Sequence, residues 1–425
     1  MKAEIVTIGD ELLRGEIVDS NKSFLSERLL TLDVETRFHT SVCDDPADME
    51  DALRRAAGRA DVVLVSGGLG PTRDDLTTEV LAATFGRKLV QDGPSLEAIR
   101  AFFASVGREM APNNAKQALF PEGAEVLPNP IGTAPGFLLV VGEVQFFSMP
   151  GVPRELVRMM DEQVLPRIAA RRTGVGVVRA RLLRTFGMGE STLDDVLKDI
   201  ATEDPDVTLG FRTAFPDNYL RPLARAATAA AADAKLDRVC DAIRTRLGAL
   251  VYGEGDATLE LVTGSLLRAQ GKTIAVAESC TGGLLAEKIT SVAGASDYFL
   301  GGVAAYANSA KEALLGVPRE LLERHGAVSE PVARAMAEGV RARFGSDLGV
   351  STTGISGPGG GSAEKPVGLV HVALADASGT HADHFVFPLD RSRHRALTAQ
   401  LALDWVRRRL VGAPLEAPTI MRRRK

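Results

Sequence analysis

The stretch ADVVLVSGGLGPTRDDLTTE (residues 60–79) passes from an unbroken apolar run into glycines and then into a helical pattern. A short β-branched run without alternation reads as a strand buried on both faces, which belongs to a parallel sheet covered by helices. Its neighbours repeat the theme. AEIVTIGDELL reads as strand then helix, Asn21 to Leu32 as a helix and ETRFHTSVC as a strand. Pro46 to Ala60 reads as a helix capped by Asp44 or Asp45. A helix-like ELVRMMDEQVLPRIAAR closes this α/β region near residue 171.

The texture changes beyond Gly174. A strand-like VVRARLLRTFGM, a helical STLDDVLKDI, a strand pair around DVTLGF and YLRPLARA, and a helix through Leu250 form a small α+β set. GEGDATLE marks the next boundary. From Leu259 helices and strands alternate again, ending in a helix to Arg409, with some antiparallel character late in the set. The expected architecture is therefore three α/β parts: residues 1–171, an α+β middle at 172–254, and 255–413, with a basic tail at 414–425.

The 425 residues carry a net charge of −5, 45% apolar and 25% charged residues, as in an ordinary globular chain. That balance argues against nucleic acid as the main partner. Three scattered cysteines (Cys43, Cys240, Cys280) offer neither a disulfide framework nor metal-ligand spacing, which favours a reducing, cytoplasmic setting. The N-terminus has no signal-peptide core, and the longest apolar stretch, Ala134 to Val152, is interrupted by Glu143, Gln145 and two prolines.

Chemistry concentrates at the corners. In SGGLGPTRDDLTTE, glycines let backbone N–H groups approach a ligand, and the helix start that follows favours an anion. Asp74 and Asp75 would repel a phosphate there unless a divalent metal bridged them. GDELLRGEIVDSN (Gly9–Asn21), NPIGTAPGF (Asn129–Phe137) and MPGVPRE (Met149–Glu155) add further corners, the first at the same carboxyl edge of the sheet. Downstream, ESCTGG (278–283) offers Ser279, Cys280 and Thr281 beside two glycines. A serine needs a base to react. His325 is one candidate, its setting suggesting a helix end. Lys311 is the better one: it lies in the first turn of a helix capped by Asn308 or Ser309, where the helix's positive end and burial lower its pKa. Tyr306 would assist such a pair, and Thr353 with Gly354 and Gly357 offers donors for an oxyanion or a phosphate. Cys280 is the rival nucleophile, a small buried thiol being its commoner role.

Together GDELLRGEIVDSN, SGGLGPTRDDLTTE, NPIGTAPG and MPGVPRE resemble the N-terminal domain of the CinA family, which is similar to the molybdopterin-binding fold. ESCTGG, YANSAK, HGAVSE, TTGISGPGGG and KPVGLV resemble the family's C-terminal domain, which is similar to nicotinamide-nucleotide amidases. The resemblance implies two activities: metal-dependent cleavage of ADP-ribose to AMP and ribose 5-phosphate, and metal-free deamidation of nicotinamide mononucleotide. It places the catalytic set on Ser279, Tyr306, Lys311 and Thr353. Mononucleotide binding would fall to Thr281, Gly282, Gly283, Asn308, Gly354 and Gly357. Gly67, Gly68, Gly70 and Thr72 would cradle phosphate in the first domain. A divalent ion (Mg, Mn or Co) would be held by Asp75, with Asp74, Asp44 and Asp10 as further ligands. A homodimer is expected, and nucleotides are the expected partners. A non-catalytic alternative is a pterin- or nucleotide-binding scaffold for competence or repair proteins.

Overall fold

The computed structural model describes residues 1–172 and 176–415, so the predicted tail falls almost entirely outside the described residues. The chain forms two compact units, Met1–Arg179 with Arg225–Ala232, and Ala180–Ala224 with Asp233–Lys425. Among the described residues no helix is long and apolar enough to cross a membrane.

The first unit is built on β1 (Lys2–Ile8), β2 (Glu35–Val42), β3 (Val62–Ser66), β6 (Glu125–Leu127), β7 (Gly136–Val141) and β8 (Val144–Met149), in the order β2-β1-β3-β8-β7-β6. The short β4 (Leu89–Gln91) and β5 (Leu119–Pro121) pair separately. The ladders from β2 through β8 are parallel and the last two antiparallel. Alternation sorts the side chains: Val6, Val63 and Val65 enter one core, while Ile5, Val62 and Leu64 enter the other. Each such side chain contributes roughly 1.5–3 kcal/mol on burial, and burial on both faces is why Val62–Val65 of β3 shows no polar position. Asp45, rather than Asp44, caps the helix Pro46–Ala57, accepting from Ala47 and Asp48 N–H. The closing helix carries a π-helical segment at Met160–Val164, ending two residues before Pro166. A proline there removes one i→i−4 bond and crowds the preceding turn.

The chain leaves this sheet through β9 (Val177–Ala180). The single strand expected over VVRARLLRTFGM is broken, resuming as β10 (Leu183–Thr185). In the second unit, β10 joins β11 (Val207–Ala214), β12 (Asp217–Ala226) and β13 (Val251–Glu254) in the order β11-β12-β10-β13. All three ladders are antiparallel. Leu193 and Leu197 of the helix Glu190–Thr202 pack with Cys240 and Ile243 on one face of that sheet.

The remaining sheet runs β15-β14-β16-β17-β18, from β14 (Ile274–Glu278), β15 (Phe299–Ala304), β16 (Leu348–Gly354), β17 (Leu369–Asp376) and β18 (Gly379–Val386). Its first two ladders are parallel and its last two antiparallel. One face meets the helix Arg391–Leu410, buried from His394 to Arg408 along most of its length. Asp404 is paired there with both Arg407 and Arg408 at 2.6 Å, which offsets the desolvation of all three. The other face is small-residue: a Cβ on Gly349 would lie 2.2 Å from the Ala337 carbonyl, so glycine lets the helix Glu330–Phe344 approach closely.

Candidate functional site

Two corners gather the predicted residues, one in each unit. In the second unit β14 ends at Glu278, and Ser279 is tied to the neighbouring strand by its N–H donating to the Thr352 carbonyl (2.9 Å). The helix Asn308–Leu315 begins nearby without a side-chain cap. Ala307, not Asn308 or Ser309, holds the cap position, which corrects the expected capping. Lys311 in its first turn is fully buried. Its Nζ donates to Ser279 Oγ (3.1 Å), to the Ala305 carbonyl (2.7 Å) and to the Tyr306 carbonyl (3.1 Å). All three acceptors are uncharged, so nothing there compensates an ammonium ion. Burial lowers the Lys311 pKa from the ordinary lysine value, against a small opposing effect from Cys280.

The glycines after Ser279 do something other than expected. Glu278 is 1% exposed, and its carboxylate accepts from the N–H groups of Gly283 (3.0 Å), Leu285 (3.0 Å) and Ala286 (2.8 Å). The left-handed turns at Gly282 (φ 60) and Gly283 (φ 100) fold the chain over that carboxylate. The start of the helix Leu284–Thr290 thus already holds an anion, one supplied by the protein itself. Thr281 is fully buried, shares a hydroxyl contact with Thr352 (2.7 Å), and gives its carbonyl to Arg395 Nη2 (2.7 Å). The Gly283 N–H and the Thr281 hydroxyl and carbonyl, expected to meet a phosphate, thus have partners within the protein that position the Ser279 turn. Cys280 is buried, and desolvation pushes its thiol up to about 12, which keeps it from being a thiolate.

The other predicted residues separate. Thr353 is buried and donates its hydroxyl to the Ala327 carbonyl (2.8 Å), so that donor is already used. A Cβ on Gly354 would meet the Leu369 carbonyl at 2.7 Å, a close approach of β16 to β17. Gly357 gives its carbonyl to Arg391 Nη1 (3.0 Å). Tyr306 is 67% exposed, and its hydroxyl accepts from Arg391 Nη2 (3.3 Å), while Asn308 is exposed at its helix start. His325 ends the helix Arg319–His325, and its carbonyl accepts from Lys365 Nζ (2.6 Å). Sequence reasoning passed over Glu278, Arg391 and Arg395. A usable signal existed in DRSRHR (390–395): three arginines at the positive end of a helix are unfavourable unless they have another use.

In the first unit a cleft of about 430 Å³ opens at the carboxyl ends of β1 and β3. The 67–70 loop, Asp44, Asp74, Asp75, Glu11 and Glu155 line it. Gly67 (φ 107) and Gly68 (φ 66) are required: a Cβ would lie 2.3 Å from the Ile8 carbonyl and 2.2 Å from Thr77 Oγ1, respectively. Asp75 accepts from Thr72 N–H (2.9 Å) and from the Thr72 hydroxyl, and it fills the space a side chain at Gly70 would need. Its carboxylate thus folds the loop, and Thr72 is occupied with it. Asp10 and Asp44 cap one another, Asp10 N–H to Asp44 (3.0 Å) and Asp44 N–H to Asp10 (3.3 Å). Asp10 then turns to Arg14 and does not line the cleft. Burial, with the charges of Asp10, Glu11 and Asp74, raises the Asp44 pKa above its ordinary value. Among the described residues no three His, Cys, Asp or Glu side chains converge on a metal position, so the four predicted ligands are not gathered into one set. Their oxygens suit a hard divalent ion all the same.

Comparison with known proteins covers nearly the whole chain. Residues 4–170 match the family described as "Probable molybdopterin binding domain", residues 180–253 the damage-inducible protein CinA KH domain, and residues 256–410 the CinA C-terminal domain. A CinA-like protein of an Anaeromyxobacter species is 47% identical over 411 residues, 96% of this chain and 98% of the relative. One from Geobacter sulfurreducens is 44% identical over 413 residues, 97% and 100% of the two chains. Among solved structures, the competence/damage inducible protein CihA of Agrobacterium tumefaciens is 40% identical, covering 34% of this chain and 90% of that one, with a TM-score of 0.34. The CinA protein of Thermoplasma acidophilum is 32% identical, covering 40% and 97%, with a TM-score of 0.37.

Proposed function

From the premise that this chain belongs to the CinA family, with a molybdopterin-binding-like domain at its N-terminal end, we propose that its C-terminal part hydrolyses nicotinamide mononucleotide to nicotinate mononucleotide and ammonia. One observation carries the reading: a buried lysine whose amine lies 3.1 Å from a serine hydroxyl. A lysine amine kept neutral by burial takes the Ser279 proton as Oγ attacks the carboxamide carbon. The C–N bond then breaks, and the proton passes from Lys311 to the departing ammonia. Water cleaves the resulting ester and returns the hydroxyl to Ser279. No metal enters this sequence. Because Glu278 occupies the helix start after Ser279, the nucleotide phosphate is met by Arg391, at the exposed Tyr306 side. A purely scaffolding role would leave a desolvated lysine on a serine without purpose.

A second activity is favoured by the first unit's cleft: cleavage of a nucleotide diphosphate such as ADP-ribose. A divalent ion drawn to the cleft's carboxylates, Asp44 and Asp74 among them, would supply the charge neutralisation that these groups otherwise deny a diphosphate. The chain's own part is the 67–70 loop, whose glycines line that cleft and leave room for a ligand against the backbone.

The deciding assay measures ammonia release from nicotinamide mononucleotide with chelator present. Full loss in Ser279→Ala and in Lys311→Ala is expected; release by either variant at the wild-type rate would remove that residue from the chemistry. For the first unit, AMP production from ADP-ribose should cease with chelator. It should also cease in Asp44→Asn, and unchanged turnover in that variant would remove Asp44 as a ligand.

A further inference from the structure

The acidic cleft of the first unit does not stand alone. Beyond Thr133, which lines both, lies a larger slot of about 640 Å³. One wall is a face of the helix Gly93–Ser105, presenting Pro94, Ala98, Ile99 and Phe102. The opposite wall is the segment from Val126 to Pro135, stiffened by three prolines. Its one ionisable lining residue, Asp92, is already used, its carboxylate accepting from Ser95 N–H (2.8 Å) at the helix cap. The slot is therefore mostly apolar, with its single carboxylate tied into a helix cap, and its proline-stiffened wall needs little ordering to receive a flat ligand.

The partition between the two spaces is built. Asn129 lines the slot and Glu155 the cleft, and Asn129 Nδ2 donates to Glu155 Oε2 (2.6 Å) and to the Ala134 carbonyl (3.0 Å). A Cβ on Gly132 would lie 2.2 Å from that Glu155 oxygen, so a side chain there would displace the bond. This gives NPIGTAPG a physical purpose: it separates a charged compartment from an apolar one while leaving them joined at Thr133.

We infer that the slot takes the planar base of the same nucleotide whose diphosphate lies in the cleft, with Phe102 and Ile99 against the ring and Thr133 at the crossing. This assignment rests on the nucleotide reading of the cleft. It makes the base a part of recognition, so that a purine nucleotide binds where a bare sugar phosphate binds weakly.

The test is equilibrium binding, by calorimetry with divalent metal present, of ADP-ribose, AMP and ribose 5-phosphate to the full chain. Ala98→Trp fills the slot from its exposed wall, and Phe102→Ala removes the ring contact. Both should weaken ADP-ribose and AMP about tenfold, the scale of a lost aromatic contact with its buried area, and leave ribose 5-phosphate unchanged. Wild-type affinity for AMP in both variants, with all three ligands bound by the parent, overturns the slot alone. Equal losses for ribose 5-phosphate overturn it too, since the damage would then lie in the cleft. A parent that binds none of the three overturns the nucleotide reading, and the slot assignment with it. Binding of neopterin but not AMP, lost in Ala98→Trp, would assign the slot to a pterin ring and overturn the nucleotide assignment.

Discussion

Lys311, fully buried on the first turn of an otherwise exposed helix start, reaches Ser279 Oγ with its Nζ at 3.1 Å, and every acceptor it touches is uncharged. The pair joins a reactive group to an unfavourable one, and both halves can be measured.

The lowered pKa of Lys311 has a defined sign in stability as well as in rate. The unfolded chain binds a proton there at a pH where the folded chain has released it. Stability therefore rises with pH between the lowered folded value and the ordinary lysine range. Denaturant titrations above neutral pH should show this slope in the parent and its loss in Lys311→Met. The rate of deamidation should climb on a limb below the ordinary lysine range; a limb centred at the unshifted value would contradict the proposed base.

Cys280→Ala should retain deamidation at near the parent rate and cost about 1 kcal/mol of stability, the scale of a small buried deletion. Alkylating reagents should leave Cys280 unmodified in the native chain at neutral pH, because its thiol is held near 12. Loss of activity in the well-folded alanine variant would return Cys280 to the chemistry.

Glu278→Ala leaves three helix-start N–H groups without their acceptor and should lower stability by about 2 kcal/mol or more. Because that carboxylate fixes the turn after Ser279, kcat should fall with it, while Glu278→Gln recovers part of both. Equal Tm values for parent and alanine variant would show that the cap contributes nothing.

His371 on β17 stacks on His384 of β18 with ring centroids 5.4 Å apart, and its pKa is lowered to about 4 by burial and then by the neighbouring charge of His384. A depressed histidine binds its proton in the unfolded chain first. Stability is therefore unaffected above about 6.5 and lost as pH falls from there toward 4, by at most about 3 kcal/mol. His371→Leu should flatten that stretch of the stability–pH curve, and an unaltered curve would rule the residue out as its source.

Much of the fold was legible along the chain because it rests on local pattern. The unbroken Val62–Val65 run announced a doubly covered strand, and the alternating β11 and β12 a half-exposed pair. The broken strand at 177–185 was less legible, since its apolar and basic residues suit a strand throughout. The roles of polar residues were legible only where one chemistry was open to them. Ser279 and Lys311 were marked by type and by motif, and the fold brings them into contact. Asp75 and Thr72 were read as ligand contacts, yet three residues apart they satisfy one another and close the loop.

The amino-acid sequence by itself determined the sheets, the family and the pairing of a serine corner with a lysine helix, because periodicity and motif spacing act over a few residues. Only the tertiary structure decided which groups are free. Whether the N–H groups after Ser279 face a ligand or Glu278, whether Asp10 faces the cleft or Arg14, and whether a thiol is desolvated all depend on what the fold sets against them. Hydrogen bonding and desolvation act within a few ångströms in space, and no spacing along the chain records that distance.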